Sequence, residues 1–348
     1  MGIFWKSSRR RREPVRHDSP SSRVLYPFLF HPIFKERVWG GRNLERIYGK
    51  SLPADKPIGE SWEIADRPGD ISIVANGPLQ GQTLRWLMEE HRQAVLGQSA
   101  KPSGSFPVLI KILDAQETLS VQVHPPATIA QAIGAEPKTE MWFITDTSPG
   151  AALFVGLKSG MTRAGFERRI SDGTVAESLH KIDTKPGDCM FLPSGRLHAI
   201  GAGNVLFEIQ QNSDTTYRVF DWNRVGLDGK PRELHVQQSL ASIDFDDFEP
   251  ALIPNKYSRN EIFAVRYLVD DPLFRVDACQ VKRGKRFYLT SDSVQIVGIV
   301  RGQFTVTHGQ STLALKPGDF CLLPACLGRT ALTAETQAEF LHIQPAFC

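Results

Sequence analysis

Long apolar runs are missing from this chain of 348 residues. No stretch of about 18 consecutive apolar residues occurs, so no membrane-spanning helix is expected. Surplus charge is missing as well. The formal net charge of +3 is too small to argue for a nucleic-acid partner. Much of the basic charge sits in the run Arg9 to Arg12, with Arg16 nearby, and without it the chain is close to neutral. Cysteine is scarce and odd in number: Cys189, Cys279, Cys321, Cys326 and Cys348, with no Cys-x-x-Cys pair. That pattern argues against a disulfide framework and for reduced thiols in a cytoplasmic protein. Cys321 and Cys326 lack metal-finger spacing and read as small core residues. The N-terminus carries charge without an apolar h-region, so it does not read as a secretory signal.

What is present is the material of an ordinary soluble globular protein, with 41% apolar and 23% charged residues. The length allows two domains or one large one. Residues 1–24 are polar, Arg- and Ser-rich and aperiodic, and read as a disordered basic leader. From Leu25 the pattern changes. Trp39-Gly40-Gly41 and Gly59-Glu60-Ser61-Trp62-Glu63 read as turn-plus-aromatic segments closing over a sheet. Residues 82–96 carry a helical stripe ending at Gly97. Strands are expected at 106–113, 118–124, 140–146, 151–156, 188–193, 205–211 and 215–221, with a loop or short helix at 127–136. Thr162 and Ser171 read as N-caps of two short helices reaching 181. A polar link at about 242–260 precedes a last β-rich block, 262–348. The resulting division is 25–245 and 246–348.

The segment Thr118 to His124 is the most informative. A period of two puts Leu119, Val121 and Val123 on one face and Ser120, Gln122 and His124 on the other. Three polar groups on one face of an apolar strand meet water or line a site. Pro125 and Pro126 stop the strand, which leaves His124 at its end.

The chain also repeats itself. Lys185-Pro186-Gly187-Asp188 leads into Cys189 to Pro193, and Lys316-Pro317-Gly318-Asp319 leads into Phe320 to Pro324, 131 residues later. Many short strands and this duplicated unit predict a mainly β protein built of two tandem β-barrels, with a few short helices inserted in the first. Counted without gaps, Arg329 of the second copy stands where the first has His198, so only the first can hold a metal there.

Gln122 and His124 on one strand, Glu140 at the start of the next and His198 after Pro193-x-Gly195-x-x form a candidate ligand set. Two imidazoles, a carboxylate and a carboxamide suit a borderline divalent ion such as zinc. Such a site keeps net positive charge, which favours an oxyanion beside it.

The Pro-x-Gly-x-x-His barrel motif resembles the cupin superfamily. Leu119 to Pro125, Lys138-Thr139-Glu140-Met141-Trp142 and Leu197-His198-Ala199-Ile200 resemble class I mannose-6-phosphate isomerases of the short bacterial form. The likeness covers about residues 26–245 strongly and extends more weakly to the end, so the fold expected is a tandem cupin-type jelly roll. The resemblance implies one Zn2+ per chain on Gln122, His124, Glu140 and His198. It also implies a small sugar phosphate as partner, with no nucleic acid and no membrane; monomer and homodimer both stay open. The activity implied is interconversion of mannose 6-phosphate and fructose 6-phosphate, by proton transfer between carbons 1 and 2 through a cis-enediol. Glu208-x4-Ser213-Asp214-x3-Arg218 resembles the stretch in which the family's arginine acts beside the zinc. Glu208 is the expected base, with Lys138 as its rival. Ser120, Lys111 and Arg224 are expected at the phosphate. Alternatively, Lys111 pairs with Glu60 or Glu63, and Arg218 is a structural ion-pair partner. The acidic residues that follow the family's His-Pro pair are replaced by Pro126, Ala127 and Thr128, so the covering loop is expected to differ. Two other functions compete: an iron-dependent cupin oxygenase, to which a Gln ligand is less suited, and a non-catalytic sugar-binding cupin.

Overall fold

The computed structural model describes residues 25–98, 104–290 and 292–346; the Arg-rich leader lies outside them. The described chain is mainly β and forms two pairs of sheets. In the first pair, a six-stranded sheet runs in the order Cys189–Leu192, Glu140–Thr147, Asn204–Gln211, Val108–Ala115, Ile58–Ile64, Ile33–Gly41. A five-stranded sheet runs Leu179–Asp183, Ala152–Leu157, His198–Ile200, Val121–Val123, Tyr217–Phe220. Leu113, Trp142, Ile144, Met190 and Leu206 of the first sheet pack on Leu153, Val155 and Ile200 of the second. This inward face alternates with outward-facing residues, as in a sandwich of the jelly-roll kind.

The second pair is built wholly from residues after 257. Its six-stranded sheet is Ser258–Arg259, Phe263–Asp270, Phe274–Val281, Ala338–Pro345, Gln295–Arg301, Phe320–Leu323. Its four-stranded sheet is Arg286–Thr290, Arg329–Ala334, Phe304–His308, Ser311–Leu315. Phe304, Val306, Leu332 and Phe340 meet between them. No helix among the described residues is long and apolar enough to cross a membrane.

Most of the expected strands occur within one to three residues of where periodicity puts them. Three local readings are corrected. Residues 39–41 and 59–63 are not turns but parts of the strands Ile33–Gly41 and Ile58–Ile64. Their glycines serve a close approach of backbones: a Cβ on Gly40 would lie 2.3 Å from the Gly59 nitrogen. Ser171 is not an N-cap. Thr162 caps a single helix, Arg163–Asp172, which Gly173 ends in the left-handed region, and Ser171 sits inside it with its hydroxyl on the Glu167 carbonyl. The chain then makes one tight turn and becomes the edge strand Leu179–Asp183 rather than a second helix. The helix expected at 82–96 is two, Leu84–Glu90 and Arg92–Leu96, broken where His91 leaves helical geometry.

The repeat is real at the level of hydrogen bonds. In both copies the Asp carboxylate accepts from the Lys backbone N–H, Lys185 to Asp188 at 3.0 Å and Lys316 to Asp319 at 2.9 Å. In both, the Gly N–H bonds back to a strand, Gly187 to Ile144 and Gly318 to Ile299. The ungapped alignment slips after that. Thr330, buried at 3% exposure, shares the inward face with Leu332, whereas Arg329 is exposed and lies over the Tyr288 ring at 3.6 Å. Thr330 is therefore the positional counterpart of His198; the second copy's turn, with its Ala325–Leu327 helical turn, is one residue longer. Likewise Gln295 pairs with Leu323 as Glu140 pairs with Leu192. Threonine and glutamine replace histidine and glutamate, and the crevice they line has room for about 10 Å³. The second sheet pair thus carries different residues at the positions of His198 and Glu140.

Candidate metal centre and cavity

Three of the four expected ligands converge from both sheets of the first pair. Glu140 comes from the six-stranded sheet, and His198 and His124 from the five-stranded one and the segment just past it. Their ligand atoms all lie within 4.8 Å of one another. Glu140 Oε1 is 3.4 Å from His198 Nε2, and Glu140 Oε2 is 3.7 Å from His124 Nε2. Gln122 joins from the directly opposite position on the strand next to His198, its Nε2 3.3 Å from His198 Nε2.

The surrounding backbone fixes the tautomers. His124 Nδ1 donates to the Thr215 carbonyl at 2.8 Å, and His198 Nδ1 donates to the Arg196 carbonyl at 2.9 Å. A carbonyl only accepts, so each Nδ1 carries the proton and each Nε2 presents its lone pair to the shared centre. Burial, reinforced by Lys138, pushes the His124 imidazole down to about 4, and burial lowers His198 as well. Both rings are therefore neutral near pH 7, the form a metal needs. Burial alone would raise Glu140, but the Lys138 ammonium beside it holds it well below the usual carboxylate range. Its Oε1 is fully buried and accepts no hydrogen bond. A buried carboxylate oxygen without a donor is costly, and a divalent cation between it and two outward lone pairs removes that cost. The donor set fits zinc.

A cavity of about 590 Å³ adjoins this centre, lined by Gln122, Lys138, Glu208, Lys111, Ser120 and Arg218 among others. Glu208 alternates with Phe207 and Ile209, which face the core. Its Oε1 accepts from Lys111 Nζ at 2.9 Å and its Oε2 from Trp142 Nε1 at 3.1 Å. Lys111 stands directly across the strand pair from Glu208 and 3.8 Å from Glu60. Its acidic partners are thus Glu208 and Glu60; Glu63 is taken by Lys50 at 2.8 Å. Lys138 Nζ lies 2.8 Å from Glu140 and 3.9 Å from Glu208. Burial works against its charge, but the two carboxylates override it and raise the ammonium above its ordinary value. Arg218, across from Gln122, donates Nη1 to the Glu233 carbonyl at 2.9 Å, while its buried Nε has no partner among the described residues. It is not a carboxylate-paired structural arginine.

Of the expected site residues, Arg224 is not brought to the cavity. It donates to Asp221 at 2.9 and 3.1 Å and reaches Glu117 at 3.5 Å. Arg232, eight residues on, lines the cavity instead, as do Arg37, Glu60, Asp214 and His235. Sequence reasoning named Glu60 only as a partner for Lys111 and Asp214 only within its motif, and it did not reach Arg37, Arg232 or His235. Glu60 was within reach, because Glu60 and Trp62 alternate with Ser61 and Glu63, the signature of a two-faced strand. Burial would raise Glu60, but Lys111 and Arg37 outweigh it and hold the carboxyl at about 2.

The description "phosphomannose isomerase type I, catalytic domain" matches residues 28–141, and "mannose-6-phosphate isomerase, cupin domain" matches residues 265–343. Mannose-6-phosphate isomerase ManA of Bacillus subtilis is 35% identical over 325 residues, covering 91% of this chain and 99% of its own. The Streptococcus mutans mannose-6-phosphate isomerase is 34% identical over 299 residues, covering 86% and 92%. The crystal structure of the Bacillus subtilis mannose 6-phosphate isomerase superposes with a TM-score of 0.83 at 32% identity, over 91% of this chain and 99% of that one. A mannose 6-phosphate isomerase bound with zinc and yttrium shares the fold at 18% identity, with a TM-score of 0.71 over 92% and 100%. With relatives above 30% identity matched along nearly their whole length, this chain belongs to the type I mannose-6-phosphate isomerases, a family of enzymes.

Proposed function

We propose that this chain interconverts mannose 6-phosphate and fructose 6-phosphate by moving a proton between carbons 1 and 2 of the open-chain sugar through a cis-enediol. The metal in this reading is one zinc ion held by Gln122, His124, Glu140 and His198. The observation that carries the reading is the pair of buried Nε2 lone pairs and the undonated Glu140 oxygen beside a cavity rich in cations. Bound zinc supplies Lewis acidity toward the oxygens on which negative charge develops. Arg218 offers its unpaired Nε to the same developing charge. Glu208 takes the carbon-bound proton: it is a carboxylate on the cavity wall, oriented by Lys111 and Trp142. Glu60, held at about 2, is too weakly basic for that task. Lys138 is held in its ammonium form and serves as proton donor to the sugar oxygens rather than as the base. Ser120, which also lines the cavity, contacts the phosphorylated substrate in this reading.

The test is isomerisation by metal-stripped protein before and after zinc is added. Fructose 6-phosphate is expected only once about one equivalent has bound. Stoichiometric zinc binding without turnover of mannose 6-phosphate would remove the substrate from this reading.

A further inference from the structure

We infer that Arg232 is the phosphate-facing arginine of this cavity and that Asp221 is its positioning residue. This assignment rests on the sugar-phosphate reading above and concerns the part of the cavity lining that follows Arg218 in the chain. The cavity's cations are not equivalent. Lys111 lies on Glu208, Arg37 on Glu60 and Lys138 on Glu140, each at 2.7 to 2.9 Å. Those three are already neutralised. The remaining cavity guanidiniums are Arg218 and Arg232. Arg218 touches no carboxylate and sits across from ligand Gln122, so it serves the reacting end.

Arg232 is the second of these two guanidiniums. It forms a fork on Asp221, Nε to Oδ2 at 2.6 Å and Nη2 to Oδ1 at 2.5 Å, and its side chain keeps 23% exposure. The same carboxylate, buried at 6% exposure, also takes Arg224. Arg224 has a second carboxylate in Glu117 at 3.5 Å, whereas Arg232 pairs with Asp221, which it shares with Arg224. Asp228 and Asp214 also line the cavity; Asp228 accepts from the backbone N–H of Lys230, and Asp214 acts on Arg37 and Lys138. Chain geometry explains why 232 and not 224 points inward. Trp222 and Asn223 take positive φ of 57° and 55° and turn the chain back, Val225 bridges Pro231, and His235 N–H returns to the Arg218 carbonyl at 2.7 Å. Arg232 is delivered beside Arg218 on that return. A guanidinium with its orientation set by one carboxylate, and with donors left over, suits a phosphate dianion.

The experiment compares wild type with Arg232→Gln in two readouts, steady-state kinetics on mannose 6-phosphate and calorimetric binding of inorganic phosphate. Losing a charge-assisted contact made equally in ground and transition state is expected to raise KM and the phosphate Kd by about tenfold or more, with kcat changed less than about threefold. Asp221→Asn is expected to raise KM the same way, and Asp221→Glu to restore part of it. Unchanged KM and unchanged phosphate Kd in Arg232→Gln overturn the assignment. If wild type binds phosphate, Arg232→Gln does not, and neither isomerises the sugar, the anion subsite stands and the sugar reading falls. Should Arg232→Gln fail to fold, Arg232→Lys keeps the charge and loses the fork. An intermediate phosphate Kd then supports the assignment, and an unchanged one overturns it.

Discussion

Glu208 is where the chemistry of single residues can be separated from the scaffold that holds them. Its carboxylate touches Lys111 and Trp142 and is not among the ligand atoms that converge on the metal centre. Glu208→Gln keeps the shape and can accept one of the two hydrogen bonds, but it removes the basic oxygen. We expect it to bind zinc as wild type does and to lose about 10²- to 10⁴-fold in turnover, the usual contribution of a positioned base. Metal content and kcat measured on one preparation check this, and normal turnover would take Glu208 out of the mechanism. At this scale the sequence is legible where a residue's direction depends only on local period. Gln122, His124 and Glu208 could be assigned a face because strands alternate. Arg224 could not be told from Arg232, because their directions depend on two consecutive positive-φ residues, Trp222 and Asn223, which are neither glycine nor in a turn dipeptide that announces itself. The acidic clamp at Asp221 exists only after that reversal.

Among elements, the duplicated Lys-Pro-Gly-Asp turn shows both what a repeat reveals and where it misleads. It discloses two equivalent strand entries because the turn needs the same chemistry twice: a left-handed glycine, φ 91° at Gly187 and 83° at Gly318, and an aspartate that binds the backbone two residues before that glycine. The alignment then slips by one, since the extra residue lies in a short helical turn with no repeat of its own, and a slip of one reverses the face of a strand. The two glycines also differ in surroundings. A Cβ on Gly187 would meet only Asn255 Nδ2 at 3.7 Å, whereas one on Gly318 would meet Tyr48 Cδ1 at 2.7 Å. Gly187→Ala should cost about 1 kcal/mol from backbone strain alone. Gly318→Ala should cost about 1–3 kcal/mol more, because Tyr48 is a buried ring that cannot withdraw. Denaturant titrations of the two variants give the comparison; equal costs would mean that Tyr48 moves freely.

At the scale of the whole molecule the sheet pairs share no strand, yet they share a core. Tyr26, Phe28 and Phe207 from the first part cluster with Phe274, Phe320 and Leu341 from the second, and the Phe207 and Phe320 rings meet edge-on at 4.9 Å. The division expected at 245/246 from the polar link does not anticipate this core, whose contacts lie far apart in sequence and leave no local pattern to read. Each repeat turn is moreover tied to the other part by a cation on its glycine carbonyl. Lys50 Nζ donates to the Gly318 carbonyl at 3.3 Å. Arg266, at 1% exposure, donates Nη1 to the Gly187 carbonyl at 2.6 Å, and its other nitrogens take the Ile253 and Pro254 carbonyls of the link at 2.6 and 3.0 Å. Three charge-assisted bonds satisfy a buried guanidinium that forms no ion pair with a carboxylate among the described residues. Arg266→Ala removes all three and leaves buried carbonyls without donors, at a cost of about 3 kcal/mol or more. Arg266→Lys supplies one ammonium for three divergent acceptors and should recover only part of that. Because the tie crosses between the sheet pairs, the loss should appear as a lower midpoint of a single unfolding transition in both variants. A midpoint that does not move in Arg266→Ala would mean that the shared apolar core alone joins the two parts.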